Sequence, residues 1–190
     1  MIEQLLEYDT DLFLYLNNLG SESWDELWRT ITNKYIFGPI LGVFLLFFFQ
    51  KKFGWKDTLI LMVIAALMIT FTDQITNVFK RGFQRARPCG NPDIFDQMRY
   101  VAIRCGKYGF FSGHSSNSMA VAIFGGLLLK SYYKNLIYLL IVVSFIVAYS
   151  RIYLGVHYPL DIVCGLTFGA FSGFLFYKLG SYLLKHFVNS

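Results

Sequence analysis

Residues 136–161 read LIYLLIVVSFIVAYSRIYLGVHYPLD, and this stretch decides the class of fold. Its first part is an apolar run close to the 20 or so residues that an α-helix needs to cross the roughly 30 Å hydrocarbon core of a bilayer. The run ends at Ser150-Arg151, and His157 and Asp161 lie where the next apolar stretch begins. Charged and titratable side chains therefore stand at the boundary of a predicted membrane helix.

Similar apolar runs recur along the 190 residues, of which 55% are hydrophobic and only 15% are charged. This composition is not that of an ordinary soluble domain. The runs predict five transmembrane helices, at roughly 32–50, 57–78, 113–130, 135–152 and 159–180. We therefore expect an all-α, polytopic membrane helix bundle that forms a single domain over residues 1–190.

The first 30 residues are predicted to lie on the membrane surface. They begin with acidic residues such as Glu3 and Glu7, unlike the basic start of a cleavable signal peptide. Leucine and phenylalanine residues are interspersed among the acids, which favours an amphipathic helix in the interface. Trp24 and Trp28 are four residues apart and are expected at the level of the lipid headgroups, where the first span begins.

The lysines of the short loops predict the orientation of the bundle. They fall on alternate loops and after the last span: Lys51, Lys52, Lys56, Lys130, Lys134, Lys178 and Lys185. The positive-inside rule places these loops on the cytoplasmic face. Residues 80–107 lie on the opposite face, yet they carry seven bases and two acids. An anionic substrate is one reason for a basic loop there, and binding to lipid headgroups is the alternative.

Two of the three cysteines, Cys89 and Cys105, lie in this outward loop, and Cys164 lies in the fifth span. In an oxidising compartment, a disulfide between Cys89 and Cys105 would restrict the unfolded loop and stabilise the fold by about 3 kcal/mol. Two unpaired thiols are the alternative. Neither the number nor the spacing of the cysteines indicates a zinc site, and we expect no metal and no cofactor.

Three short polar clusters lie at the predicted helix ends on the outward face. In chain order they are Lys80, Arg87 and Pro88; Ser112, Gly113 and His114; and Ser150, Arg151, His157 and Asp161. The first and second clusters flank an outward loop at 80–111, whose glycines and prolines disfavour long regular structure. Pro159 suits the first position of the last helix, which puts Asp161 in its first turn. We therefore expect all three clusters to converge at one face of the bundle.

These residue types match the requirements of phosphoryl transfer. Lys80, Arg87 and Arg151 can hold the non-bridging oxygens of a phosphate, since arginine binds two oxygens at once and stays charged. The backbone amides of Ser112 and Gly113, at a helix start, add further donors where the helix dipole is positive. The alternative for these two residues is a simple helix cap.

The two histidines provide a nucleophile and an acid. His157 is the candidate nucleophile, and Asp161 is expected to orient its ring and to stabilise the imidazolium that develops. His114 would protonate the leaving group and then activate water as a base. Taken singly, a histidine at a helix end or an aspartate in a first turn is commonly structural. Their joint occurrence beside three cations favours catalysis.

The three clusters resemble the motifs of the type 2 phosphatidic acid phosphatase superfamily. The first motif, Lys-x6-Arg-Pro, is matched from Lys80, and the third, Ser-Arg-x5-His-x3-Asp, from Ser150. The second is usually Pro-Ser-Gly-His, and Phe111 replaces its proline here. The resemblance implies a metal-independent phosphatase with His157 as nucleophile, a phosphohistidine intermediate and His114 as general acid and base.

The resemblance also implies the partners: a phospholipid or polyprenyl phosphate substrate and the lipid bilayer, with no nucleic acid. The soluble haloperoxidase branch fits this apolar chain poorly. Small members with outward-facing sites are similar to undecaprenyl pyrophosphate, phosphatidylglycerophosphate and lipid A phosphatases. Undecaprenyl diphosphate is our first expectation, in a bacterial inner membrane with the site facing the periplasm or exterior. A non-catalytic anionic-lipid-binding or transport protein is the alternative.

Further bases in the outward loop suggest a diphosphate or a multiply phosphorylated headgroup. They are Arg81, Arg85, Arg99, Arg104 and Lys107.

Overall fold

The computed structural model describes residues 1–33 and 35–187, which form six α-helices. Their bounds are α1 Ile2–Asn18, α2 Glu22–Thr32, α3 Phe37–Phe83, α4 Gly113–Leu129, α5 Leu136–Tyr153 and α6 Pro159–Phe187. The segment between α3 and α4 contains only two 3₁₀ turns, Pro88–Gly90 and Phe95–Gln97, and one isolated bridge between Ala86 and Tyr108. The predicted all-α fold is confirmed.

Three of these helices are long and apolar enough to cross a membrane, judged by length and composition: Gly38–Phe83, Leu136–Tyr153 and Pro159–His186. Helix α3 covers the second predicted span and, from residue 37 onward, the first. Gly54 interrupts it with a φ of 76° and a ψ of 174°, a conformation that a residue with a side chain rarely adopts. Helix α4 coincides with the third predicted span but has 17 residues. The chain is an integral membrane protein, and the number of five crossings stays a prediction.

The lysine-bearing loops meet at one end of the bundle. The Lys52 ammonium lies 4.9 Å from the centre of the Tyr132 ring and 5.2 Å from that of Tyr133. The interruption of α3 at Gly54 and the connection between α4 and α5 are therefore neighbours. The three polar clusters lie at the opposite end of the bundle from these loops.

The close packing of α4 against α6 depends on glycine. A Cβ atom placed on Gly169 would lie 2.2 Å from the Ser116 carbonyl oxygen. The same construction on Gly165 and Gly173 gives 2.6 Å to Ser112 O and 2.5 Å to Ala120 O. Only residues without a side chain allow the two backbones to approach this closely. The three glycines therefore serve the packing of α4 against α6.

The N-terminal segment, predicted to lie in the interface with an amphipathic helix, packs on the bundle. It consists of two helices, and α1 turns a stripe of residues four apart, Asp9, Phe13 and Asn17, into the protein. The buried Asn17 amide donates to the carbonyls of Arg99, Ile152 and Tyr153 at 3.0–3.1 Å. These hydrogen bonds fasten α1 to the end of α5 and to the outward loop, because a buried amide must find partners.

Helix α2 is held to α5 by aromatic contacts. The Trp28 ring stacks on Tyr153 and meets Tyr149 edge to face, with ring centres 5.2 Å apart in both pairs. The Trp24 side chain is 58% exposed. It is therefore free to contact the lipid headgroups, at whose level both tryptophans were predicted. Helices α1 and α2 thus pack on the bundle at the end that carries the polar clusters.

Candidate active site

The structure brings the three polar clusters together at one end of the bundle. His157 lies in the short turn between α5 and α6, and His114 lies in the first turn of α4. The positive groups acting on His157 are Arg87, Arg151 and Lys80. Those acting on His114 are Arg151, His157 and Lys80. Residues up to 77 positions apart in sequence therefore share one electrostatic environment.

His157 is a buried histidine with a carboxylate partner. It is 2% exposed, and its Nδ1 lies 3.2 Å from Oδ2 of the fully buried Asp161. The helix start at Pro159 fixes this carboxylate, since the Tyr158 amide donates to the same Oδ2 at 3.2 Å. With an acceptor at Nδ1, the favoured neutral tautomer carries its proton there and leaves the Nε2 lone pair free.

The surroundings keep His157 neutral. Burial lowers its pKa well below the usual 6.5, and the positive charges of Arg87, Arg151 and Lys80 lower it further. A hydrogen bond to the backbone of Gly109 opposes this effect. A histidine that stays unprotonated at neutral pH keeps the lone pair that a nucleophile needs.

The three predicted cations are held in place by different elements. Arg87 donates through Nε to the Tyr108 carbonyl at 3.0 Å, and burial lowers its pKa. Arg151 donates through Nη1 to the hydroxyl of Thr32, at the end of α2. Lys80 is in the last turn of α3, and its Nζ would lie 3.5 Å from a Cβ atom on Gly113.

One donor of this site is buried and unused. Nε of Arg151 has no hydrogen-bond partner among residues 1–33 and 35–187. A buried guanidinium donor without an acceptor costs free energy, and a phosphate oxygen would satisfy it.

Ser112 has a different role from the predicted one. Its hydroxyl caps α4 by accepting from the Ser115 amide at 3.4 Å, and its own amide donates to the Asp161 carbonyl at 3.0 Å. Because this amide already has a partner, it is not available to a phosphate as the sequence suggested. Ser112 instead ties the start of α4 to the first turn of α6. The amide of Gly113, the first residue of α4, keeps the predicted role as a proposal.

Phe111 stands where the family motif usually has proline, and it is 4% exposed. Its ring centre lies 5.1 Å from that of Phe79 on α3 and 5.2 Å from that of Phe168 on α6. Aromatic packing between two helices therefore fixes the approach to α4 in this chain.

Two of the extra bases are paired with carboxylates of the same chain. Arg85 binds Asp161 and Asp9, with nitrogen-to-oxygen distances of 3.0 and 2.6 Å. Arg99 binds Asp25 at 3.0 Å. Carboxylates of the same chain pair with both bases, so binding of a phosphorylated headgroup by these two residues stays a prediction. The exposed bases of the loop are Arg81, Arg104 and Lys107.

Sequence reasoning missed three residues of this site, Asp9, Thr32 and Gly109, and assigned Arg85 to the headgroup instead of to Asp161. A Cβ atom on Gly109 would lie 2.9 Å from Asp161 Oδ2, so only glycine fits beside that carboxylate. Arg85 carried a usable signal, because a basic residue inside the Lys-x6-Arg-Pro motif lies near the site by spacing alone. The other three carried no signal in the sequence, since their positions relative to the site depend on how α1, α2 and the outward loop fold back onto the bundle.

The outward loop is closed by a disulfide between Cys89 and Cys105, whose Cα atoms are 6.0 Å apart. The Cys89 amide donates to the Gly155 carbonyl at 3.2 Å, in the turn that carries His157. Arg87, two residues before Cys89, is therefore tied to the same turn. Cys164 is a free thiol on α6.

Known proteins resemble this chain in sequence and in fold. The model of the PAP2 superfamily matches residues 58–185. A lipid A 4'-phosphatase of Bacteroides thetaiotaomicron is 39% identical over 181 residues, covering 93% of this chain and 79% of the relative. One of Porphyromonas gingivalis is 34% identical over 192 residues, covering 100% of this chain and 80% of the relative.

A solved structure has the same fold. It is that of the first transmembrane PAP2 type phosphatidylglycerolphosphate phosphatase from Bacillus subtilis, which matches with a TM-score of 0.74 at 22% identity. The match covers 97% of this chain and 89% of the other. Because the family match spans residues 58–185 and two relatives are more than 30% identical, this chain belongs to the PAP2 superfamily, the family that its three motifs resemble.

Proposed function

We propose that this protein is a lipid phosphatase that transfers a phosphoryl group from its substrate to His157 and then to water. The unused buried donor of Arg151, beside a neutral His157, is the observation that carries the proposal. A site with three cations and a free guanidinium donor suits a phosphate dianion. A neutral imidazole lone pair beside it suits attack on phosphorus.

The residues divide the reaction into two steps. In the first, His157 Nε2 forms a bond to phosphorus while the bond from phosphorus to the lipid oxygen breaks, and the protonated form of His114 gives its proton to that oxygen. Burial and the neighbouring cations lower the pKa of His114, and the negative charge of the bound phosphate opposes them. In the second, His114 takes a proton from water, and the resulting hydroxide displaces His157 to release inorganic phosphate. Arg87, Arg151 and Lys80 hold the non-bridging oxygens throughout. Asp161 stabilises the positive ring of the intermediate.

The preferred substrate changes in the light of the relatives. Both bacterial relatives compared above are named lipid A 4'-phosphatases. We therefore propose a phosphate monoester of the lipid A type first, ahead of undecaprenyl diphosphate and phosphatidylglycerophosphate. The occupation of Arg85 and Arg99 by carboxylates also favours one phosphate in the site over a diphosphate.

The proposed site faces the non-cytoplasmic side of a bacterial inner membrane. The lysine-rich loops at the opposite end of the bundle support this orientation. A disulfide in the loop beside the site supports it as well, since disulfides persist in oxidising compartments.

The test is phosphate release from purified protein in detergent, in the presence of EDTA. Lipid A, phosphatidylglycerophosphate, phosphatidic acid and undecaprenyl diphosphate form the substrate panel. We expect release from lipid A to be fastest, to survive EDTA, and to fall by about 10³-fold or more in the His157→Ala variant. His186→Ala, an exposed histidine in the last turn of α6, is the matched control and should retain the wild-type rate.

The rival function is capture of anionic lipids without turnover. It would use the cations equally well, but it gives no role to His157 Nε2 or to His114. Folded wild-type protein that binds lipid A and releases no phosphate from any member of the panel would favour this rival.

A further inference from the structure

We propose that Asp9 and Arg85 are positioning residues of the proposed phosphatase, which act through Asp161 on His157. Asp9, Arg85 and Asp161, here called the carboxylate bridge, would set the orientation and the charge of the group that supports the nucleophile. The inference rests on the proposed function and extends it to the N-terminal helix.

The bridge is a continuous chain of short contacts. Arg85 Nη1 lies 3.0 Å from Oδ1 of Asp161, and Nη2 lies 2.6 Å from Oδ2 of Asp9. The guanidinium also stacks over the Tyr158 ring, with Cζ 4.2 Å from its centre. One planar fork therefore spans two carboxylates and cannot rotate without losing all three contacts.

Asp9 is buried although it belongs to a helix whose residues are mostly exposed. It is 6% exposed, and its second oxygen, Oδ1, accepts from the Leu160 amide at 2.7 Å. Burial raises the pKa of Asp9, but both of its oxygens face donors, whose hydrogen bonds lower it and favour the ionised carboxylate. Leu160 is the residue before Asp161, so Asp9 contacts the first turn of α6 through the backbone as well as through Arg85.

The charges of the bridge explain why two carboxylates share one arginine. Asp161 alone with Arg85 would form a neutral pair, which would be a weak partner for a positive imidazole ring. Asp9 adds a second negative charge, so the bridge carries a net charge of −1 when all three groups are ionised. That charge faces the ring that becomes positive when His157 accepts a phosphoryl group.

The bridge works against a strongly positive surrounding. The other charged or titratable groups acting on His157 come from α3, the outward loop, α4 and α5: Lys80, Arg87, His114 and Arg151. Each of them disfavours a positive ring, and the bridge opposes them. Asp9 and Arg85 lie outside the three motifs, except that Arg85 occupies a variable position of the first one.

Substitutions that change the charge in opposite directions test the inference. Asp9→Asn makes the bridge neutral, and we expect kcat to fall about tenfold with KM nearly unchanged. In the profile of rate against pH of this variant, the acid limb is the fall in rate as His157 becomes protonated. This limb should move to lower pH. Arg85→Gln leaves two negative charges, and the limb should move to higher pH. The double variant has a net charge of −1 again, so its limb should return towards that of the wild type.

Two further variants separate charge from geometry and from the fold of α1. Arg85→Lys keeps the positive charge but cannot span both carboxylates, so kcat should fall while the acid limb stays in place. Asp11→Asn alters an exposed acid on the same helix and should change neither quantity. Equal losses of rate in Asp9→Asn and Arg85→Gln, with an unmoved limb in both, would mean a merely structural role and overturn the inference.

A readout independent of turnover distinguishes this inference from the proposed function. The imidazole signals of histidine-labelled protein can be titrated by NMR, with His157 assigned by its absence in His157→Ala. Opposite displacements of its titration in Asp9→Asn and Arg85→Gln support the bridge even if no lipid is hydrolysed. A titration that is the same in all variants overturns the bridge even if lipid A is hydrolysed.

Discussion

His157 shows how one side chain is made reactive by its surroundings. Burial removes the water that would stabilise its charged form, and the neighbouring cations oppose protonation further. Asp161 opposes them through its contact with Nδ1 of the ring at 3.2 Å. The outcome is a ring that is neutral before the reaction and has a carboxylate beside it when it becomes positive.

The lowered pKa of His157 predicts the acid side of the pH profile. Protonation blocks the nucleophile, and a pKa well below 6.5 means that more acid is needed to protonate the folded enzyme. We therefore expect the acid limb of kcat/KM, the fall in rate as His157 becomes protonated, to lie below pH 6.5. The measurement is phosphate release against pH at low substrate concentration.

A control separates His157 from the substrate, whose own phosphate titrates near pH 6. Arg87→Gln removes the cation that lowers the pKa of His157 most, so the acid limb should move to higher pH. Substrate ionisation would not respond to this variant. An acid limb that is the same in both proteins would contradict the assignment to His157.

Gly109 is a second position where one atom decides the site. A methyl group there would meet Asp161 Oδ2 at 2.9 Å and displace the carboxylate that orients His157. We expect Gly109→Ala to lower kcat about 10²-fold, because small displacements of reacting groups cost this much. In the same loop, a Cβ atom on Gly90 has no neighbour within 4 Å, so Gly90→Ala should keep its rate. Equal rates in the two variants would contradict this role.

At the scale of elements, the contact between α4 and α6 sets the distance between the two histidines. His114 stands on α4, whereas His157 is carried at the start of α6, and Gly169 lets the helices touch. Gly169→Ala would place a Cβ atom 2.2 Å from the Ser116 carbonyl and force the helices apart. We expect a thermal midpoint several degrees lower and a clearly lower kcat.

The matched control for this prediction is Gly42→Ala in α3. A Cβ atom there has no neighbour within 4 Å, and alanine favours a helix over glycine by roughly 1 kcal/mol. Its thermal midpoint should equal or exceed that of the wild type. A Gly169→Ala protein as stable and active as this control would show that the helix contact tolerates the added methyl group.

At the scale of the whole molecule, the site and the lysine loops occupy opposite ends of the bundle. We predict that the site end lies outside the cytoplasm. The test uses two variants in a Cys164→Ser background, one with a cysteine at Asp93 in the site loop and one with a cysteine at Lys51. The two cysteines should differ in their labelling in intact cells. An impermeant maleimide should label position 93 and spare position 51 until the membrane is opened. The reverse pattern would invert the orientation.

The sequence predicted the class of fold, and it predicted the convergence of the polar clusters, because both depend on patterns and spacings within a few residues. Apolar runs indicate which helices cross the membrane. Pro159 favours the start of α6 at its own position, however that helix packs on the rest of the bundle. His157 and Asp161 are four residues apart at that start, so the turn itself brings them together. The role of Ser112 was partly misjudged, because its amide partner on α6 is 49 residues away.

The sequence by itself determined an α-helical membrane protein with two histidines, one carboxylate and three cations at helix ends, since periodicity and spacing act within a few residues. Only the tertiary structure decided which of the other charges serve the site. Arg85 turned from a predicted headgroup ligand into the centre of the carboxylate bridge, because α1 folds back to place Asp9 within 2.6 Å of it. Such a pairing joins positions 76 residues apart, and only the packing of helices specifies it.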